Sequence, residues 1–244
     1  TFMKIIDFLD LKNNVFPIVC DVSKTSYNGN FFDIILSSEA ISHYLDVPRF
    51  IQESHRILKK GGILIISDNN NGANPKKRKK NYEIWNAFEN GPPTDNIHGH
   101  RVKKPYIDMR KEIVTTHFPN LNENEIEMIA KGTSFMNKDE VVNAAKKYVE
   151  QKIKPTSFYD KQKCPVNPET NQYIEALFDP FCLKKDLEKF GFKVKVFAFV
   201  GGLKRNVLLK QFCKLIRFIS RLLPFTNIFL LRITPAFIIV ASKK

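Results

Sequence analysis

Apolar positions along the chain change period in a way that outlines its elements. Phe32-Asp33-Ile34-Ile35-Leu36 is a short run of strand-forming residues that stops at Ser37-Ser38, and Gly62-Ile63-Leu64-Ile65-Ile66 is a second that stops at Ser67-Asp68-Asn69. Near-continuous apolar runs of this length fit strands covered on both faces, as in a parallel sheet. Between them Phe50, Ile51, Ser54, Ile57 and Leu58 recur three or four apart, one face of a helix. Pro48 suits the first turn of that helix, Lys59 and Lys60 the negative end of its dipole, and Gly61 a left-handed cap. Strand, helix and strand in this order predict two parallel strands joined by a right-handed crossover. Ligands of such sheets bind beyond the carboxyl ends of the strands. Ser37, Ser38, Glu39, His43, Ser67, Asp68 and Asn69 are therefore expected on one rim.

The flanking segments are read in the same way. Residues 1–14 pattern as a helix, with Phe2, Ile5, Ile6 and Leu9 on one face, and Phe16–Cys20 patterns as a strand followed by Asp21. After Asn70 come a loop, NNGANP, the run Lys76–Lys80, a short helix over Tyr82–Phe88, and a loop holding His98, His100 and Arg101. Helices are predicted at Tyr106–His117, Asn124–Lys131 and Lys138–Gln151. Asp179 then caps a helix with Pro180 in its first turn, Gly191 ends it, and Phe192–Phe197 alternates as a strand. Another strand is expected within Pro235–Ser242. Between these two, Leu203–Leu223 places Lys210, Lys214, Arg217 and Arg221 on one stripe with apolar residues around most of the rest. Two readings stay open, an interfacial amphipathic helix and a core helix with a charged outer face. The apolar stretch PFTNIFLL favours contact with a membrane or another apolar surface. Arg221 and Arg232 interrupt it, so it would lie on a bilayer and not cross one.

FDIILSSEAISHYLD followed by FIQESHRILKKGGILIISD resembles the fourth and fifth strand motifs of class I S-adenosylmethionine-dependent methyltransferases, and FPIVCDVSK resembles their third strand. The resemblance covers about residues 1–71 and 178–244. It implies an α/β fold: a Rossmann-like methyltransferase sheet, mostly parallel with the last strand antiparallel, and a helical insert between the fifth and sixth family strands. The implied organisation is a partial cofactor-binding core at 1–71, a helical lid or substrate insert at 72–177, and a completion of the core at 178–244. It also implies S-adenosylmethionine as cofactor. Asp21 would accept from the adenine amino group, Val22 would lie beside the ring, and Ser37, Ser38 and Glu39 would line the amino-acid and sulfonium end. The bland alternatives are that Asp21 only caps a turn toward Ser23 and that Ser37 or Ser38 is only a helix cap.

The ten glycines include no GxGxxG cluster of the kind that lets backbone approach such a cofactor. The family's first strand and glycine-rich turn are thus expected upstream of Thr1, and these 244 residues alone are expected to bind the cofactor poorly. In some quinone-pathway relatives the region after the fourth strand reads Glu-x-x-Glu-His and holds magnesium. Here Ser42 takes the middle position, and no metal is expected. His43 is the first candidate for a general base, against an equally plausible packed role. His98 and His100 are second candidates, and Asp68 is a third.

With 244 residues and 43% hydrophobic content, one full core with a subdomain is expected. Four cysteines without a CxxC pair, no opening signal peptide and no apolar run of about 18 residues suggest a cytoplasmic protein, at most peripheral at the inner face of a membrane. The formal charge of +14 favours anionic partners. The leading reading is a methyltransferase acting on a small molecule, sugar or glycolipid, with an anionic membrane surface as a candidate partner. A nucleic-acid methyltransferase fits less well, because the fourth strand ends SSEA instead of an NPPY-type motif and the basic residues are not interleaved with aromatics. The third reading is a non-catalytic binding protein that retains the fold.

Overall fold

The computed structural model describes residues 14–199 and 207–244, and the side chains of residues 207–210, 212, 217 and 221 lie outside that description. The helix expected over residues 1–14 and most of the expected basic stripe therefore fall outside the described residues.

The core is a mixed sheet. Strand β1 (Phe32–Ser38) pairs in parallel with β2 (Leu58–Asp68), and helix α1 (Val47–Ile57) crosses between them. Asp46 caps α1 by accepting from the Arg49 N–H at 3.0 Å, and Pro48 sits in the first turn as expected. The helix ends at Ile57, and Lys59 and Lys60 already belong to β2. Gly61 has φ +76, but inside an irregular start of β2, where the register with β1 shifts, and not as a helix cap.

After β2 the chain runs into α2 (Pro75–Asn90), a hairpin of β3 (Thr94–Ile97) and β4 (His100–Val102), and helices α3 (Tyr106–His117), α4 (Glu123–Gly132) and α5 (Lys138–Gln151). The basic run Lys76–Lys80 is thus the opening of a 16-residue helix. Asn74 caps it by accepting from the N–H groups of Lys76 and Lys77 at 2.9 and 3.2 Å. The segment expected as a loop around His98 is instead a tight hairpin. His98 (φ 53) and Gly99 (φ 91) are its two turn residues, and positive φ at both is what a type I′ turn demands.

Helices α3 to α5 pack on a small core of their own, formed by Ile113, Val114, Ile129, Val141 and Ala145. Among α2, α3 and α4 runs a fully buried ion pair: Arg110 Nη2 donates to Glu89 Oε1 at 2.7 Å, and Arg110 Nε donates to the Ala130 carbonyl at 2.9 Å.

The chain rejoins the sheet where it left it. The Gly72 N–H donates to the Phe178 carbonyl at 2.7 Å, and the Phe178 N–H donates to Asn70 at 3.1 Å. A side chain at Gly72 would meet the Phe178 backbone at 3.0 Å, so the close approach needs glycine. Helix α6 (Pro180–Lys189), capped by Asp179, leads into β5 (Phe192–Ala198). Then follow α7 (Val207–Leu222), α8 (Thr226–Leu231) and β6 (Phe237–Lys243). Strand β6 lies antiparallel between β2 and β5, giving the order β1-β2-β6-β5. Leu64, Ile66, Phe192, Phe237 and Ile239 of the sheet pack with Ile51 of α1 and Leu187 of α6 in the main core.

One expected strand is not formed. Residues 15–20 make no strand pairing, and Phe16, Ile18 and Val19 are exposed. A strand needs a neighbour to satisfy its backbone, and among the described residues none pairs with this segment. It is anchored downstream instead: Glu53 of α1 accepts from the Thr25 N–H and Oγ1 at 2.9 and 2.5 Å, and Arg56 donates to the Tyr27 carbonyl at 2.8 Å.

Candidate functional site

Because β1 and β2 are parallel and in register at Ser38 and Ser67, their carboxyl tips end side by side. The Glu39 N–H donates to the Ser67 carbonyl at 2.8 Å, and Ser67 Oγ donates to Ser38 Oγ at 3.1 Å. The Glu39 backbone sits at φ 50, in the left-handed region. Its carboxylate Oε2 accepts from Asn69 Nδ2 at 2.8 Å and from the Asn69 N–H at 3.2 Å. Ser37 is buried, with its Oγ 3.2 Å from Tyr44 Oη. Neither Ser37 nor Ser38 caps the short turn of 3₁₀ helix at Ile41–His43, whose N-cap is Ala40.

Asp68 is fully buried and acts locally, with Oδ2 accepting from the Ser42 N–H at 3.2 Å and Oδ1 from the Asn70 N–H at 2.8 Å. Both carboxylate oxygens are thus engaged in holding the 3₁₀ turn against the end of β2.

His43 is exposed at the end of that turn, with its Nδ1 3.4 Å from the Tyr173 carbonyl. The segment carrying Tyr173 is held on both sides. Ala176 donates its N–H to Ser42 at 2.7 Å, and Trp85 Nε1 of α2 donates to the Glu175 carbonyl at 3.1 Å. The returning chain therefore lies directly against His43. The other two candidate histidines are on the hairpin. His98 Nε2 is 2.5 Å from Glu83 Oε2 of α2, and the His100 ring stacks edge-on against Phe88. Arg101 pairs with Asp95 at 3.0 Å. No described hydrogen bond joins the hairpin to the β1–β2 rim.

Asp21 caps its own turn, with Oδ1 accepting from the Ser23 N–H and Oγ at 2.8 Å each. The Ser23 backbone bond, then its hydroxyl, holds the carboxyl below the usual range. Val22 follows it with its side chain exposed.

A polar hub beside this rim was not legible in the sequence. In NNGANP, read as a loop by composition, Asn70, Asn71 and Asn74 are all buried. Asn71 Nδ2 donates to the carbonyls of Leu231 and Thr234 at 2.6 and 2.8 Å, and Asn74 Nδ2 donates to Thr234 at 3.1 Å. The signal available was three asparagines in five residues directly after a buried strand. Among the described residues, Asn70 Oδ1 is the one buried side-chain oxygen or nitrogen without a hydrogen-bond partner. An orphaned acceptor of this kind calls for a donor from elsewhere.

Residues 6–66 match a family model described as a methyltransferase domain. A 2-phytyl-1,4-naphtoquinone methyltransferase from Nostoc punctiforme is 26% identical over 122 residues, a match covering 43% of this chain and 52% of the relative. The chain thus spans about half the length of that curated relative. Among solved structures, a possible histamine N-methyltransferase from Thermotoga maritima is 13% identical, with a TM-score of 0.42, covering 99% of this chain and 70% of that one. A phosphoethanolamine N-methyltransferase from Haemonchus contortus, in complex with S-adenosyl-L-methionine, is 14% identical with a TM-score of 0.35, covering 92% of this chain and 36% of that one. The segment 6–66, which includes α1, β1 and most of β2, is thus similar to a methyltransferase domain.

Proposed function

We propose that this protein transfers a methyl group from S-adenosylmethionine to a small-molecule, sugar or lipid-linked acceptor. The observation that carries the reading is the paired rim, where Ser38, Glu39, Ser67 and Asn69 interlock at the carboxyl ends of two parallel strands. That is where open α/β sheets bind ligands. The family match supplies the cofactor class. The sulfonium of that cofactor makes its methyl carbon electrophilic, so the protein has mainly to align the acceptor.

On this reading Asp21, Val22, Ser37, Ser38 and Glu39 contact the cofactor, and the orphaned Asn70 Oδ1 supplies a further acceptor for one of its donors. Residues 72–177 act as the acceptor-binding lid on a core formed by 1–71 and 178–244. The quinone named for the Nostoc relative favours a lipid-linked ring among the possible acceptors.

A base is needed only for an acceptor that must lose a proton, as a hydroxyl would. With Nδ1–H donating to Tyr173, His43 keeps Nε2 free as a base. His98, engaged with Glu83, and His100, set on Phe88, remain the second candidates. Asp68 has both oxygens occupied. A nucleic-acid acceptor is the rival reading, resting on the charge alone.

The test is methyl transfer by the full-length protein to extracted lipids, sugars and RNA. Label in the lipid or sugar fraction is expected, with His43→Ala lowering kcat at least about 100-fold. Label confined to RNA would replace this reading with its rival. Unchanged turnover in His43→Ala would exclude that base.

A further inference from the structure

Charge is distributed very unevenly along this chain. Residues 189–244 hold twelve Lys and Arg and no Asp or Glu, whereas residues 1–188 hold 27 basic and 25 acidic residues. The basic segment also carries a run of exposed apolar side chains. On α7, Leu215, Phe218, Ile219 and Leu222 fall at spacings that share one helix face, and that face is exposed, Phe218 to 61%. Around the corner, Phe225, Ile228, Phe229 and Ile233 are exposed as well, Phe229 to 65%. A soluble monomer rarely leaves a contiguous patch of this kind uncovered.

The corner is held in place. Asn227 is buried, its Oδ1 accepts from the Ala198 N–H at the end of β5 at 2.9 Å, and its Nδ2 donates to the carbonyls of Ser220 and Pro224 at 3.0 and 3.2 Å. One side chain therefore ties α7, α8 and the sheet together with the apolar face outward. Phe225 and Ile228 also line a cleft of roughly 560 Å³ over β5, with Lys184 and Lys195 among its walls. Lys214 and Arg232 are exposed beside the apolar positions, and among the described residues neither pairs with a carboxylate.

We propose that the α7–α8 corner docks the protein on an anionic lipid bilayer, with the apolar face entering the headgroup–acyl boundary and the surrounding cations meeting anionic headgroups. An amphipathic helix with a basic polar side binds in this way. No helix among the described residues is long and apolar enough to cross a membrane, which fits a segment lying in the interface plane. Charge decides the occupant. A second copy of a face this uniformly basic would be repelled by the first, and a nucleic acid would have no use for eight exposed apolar side chains. The inference stands independently of methyl transfer.

The experiment is co-sedimentation of the protein with phosphatidylcholine vesicles, with and without one quarter phosphatidylglycerol. Binding is expected to the anionic vesicles, falling as salt rises, with little to pure phosphatidylcholine. Phe218→Ser with Phe229→Ser is expected to weaken binding at least tenfold. Lys214→Gln with Arg232→Gln is expected to weaken it about 30-fold, since each surface cation contributes about fivefold. In the unaltered protein, amide hydrogens of 214–233 are expected to gain protection from exchange when anionic vesicles are added. No sedimentation at low salt, or no gain in protection, overturns the proposal. So does a serine pair that binds undiminished, or a dimer that the serine pair dissolves while vesicles are ignored.

Discussion

Glu39 and Asn69 meet across the tips of two parallel strands, with one carboxylate oxygen accepting from both the side-chain amide and the backbone N–H of the asparagine. This bond fixes the direction of a carboxylate whose backbone already sits in the left-handed region. Glu39→Ala in the full-length protein is expected to lower S-adenosylmethionine affinity at least about tenfold, in line with the roughly 1.5–3 kcal/mol of a hydrogen bond to a charged group. Glu39→Gln, which keeps an oxygen for Asn69, is expected to lose less. Calorimetric titration of the three forms checks this, and equal affinities would remove Glu39 from the cofactor site.

The buried Glu89–Arg110 pair makes a separate prediction about the helical insert. Both side chains are fully buried. Arg110→Met alone leaves a carboxylate without its partner and is expected to cost about 3–5 kcal/mol in urea unfolding. Adding Glu89→Leu removes the stranded charge and should recover most of that loss. A single variant as stable as the double would mean that the pair is not what joins α2, α3 and α4.

Glu53 links α1 to the chain after Asp21, and its pH response has a defined sign. Its bond from Arg56, and after that those from Thr25, hold the carboxyl at about 2 against a starting value of 4.5, in spite of burial. The folded state keeps the proton off, so the stabilisation is complete above about pH 4.5 and fades as pH falls toward 2. It amounts to about 1–3 kcal/mol, because water still reaches the Arg56 side of the pair. Glu53→Gln is expected to be less stable at pH 7 and to lose less on going to pH 3. Urea unfolding at both values measures it, and equal losses in the two proteins would dismiss the linkage.

Cysteine chemistry separates by burial. Cys20 and Cys182 are exposed, whereas burial pushes the Cys164 thiol up to about 12. At pH 8 only about one Cys164 in ten thousand is thiolate. Iodoacetamide followed by peptide mass spectrometry should modify Cys20 and Cys182 in the native protein and Cys164 only after unfolding. Rapid native labelling of Cys164 would show that the 164–176 segment opens readily.

The sequence by itself determined the elements whose signals are local. The apolar runs at Ile34–Leu36 and Ile63–Ile66, with the 3.6-residue pattern between them, specify a strand–helix–strand unit because side-chain periodicity follows directly from backbone geometry. The same holds for the helices at Tyr106–His117 and Lys138–Gln151, the second capped by Asn137, found with the predicted bounds. Hence the rim of Ser37, Ser38, Glu39, Ser67, Asp68 and Asn69 was legible before any coordinates.

What depends on partners distant in the chain was decided only by the tertiary structure. Phe16–Cys20 has strand-like residues but no described neighbour to pair with. The asparagines of NNGANP read as loop until Leu231 and Thr234, some 160 positions away, supply carbonyls that bury them. The apolar stripe of α7 faces outward because Asn227 fixes the corner, and periodicity gives a helix a face without saying which way it turns. Local pattern sets what a segment can form, while burial and long-range hydrogen bonding set what it forms and which side is left exposed.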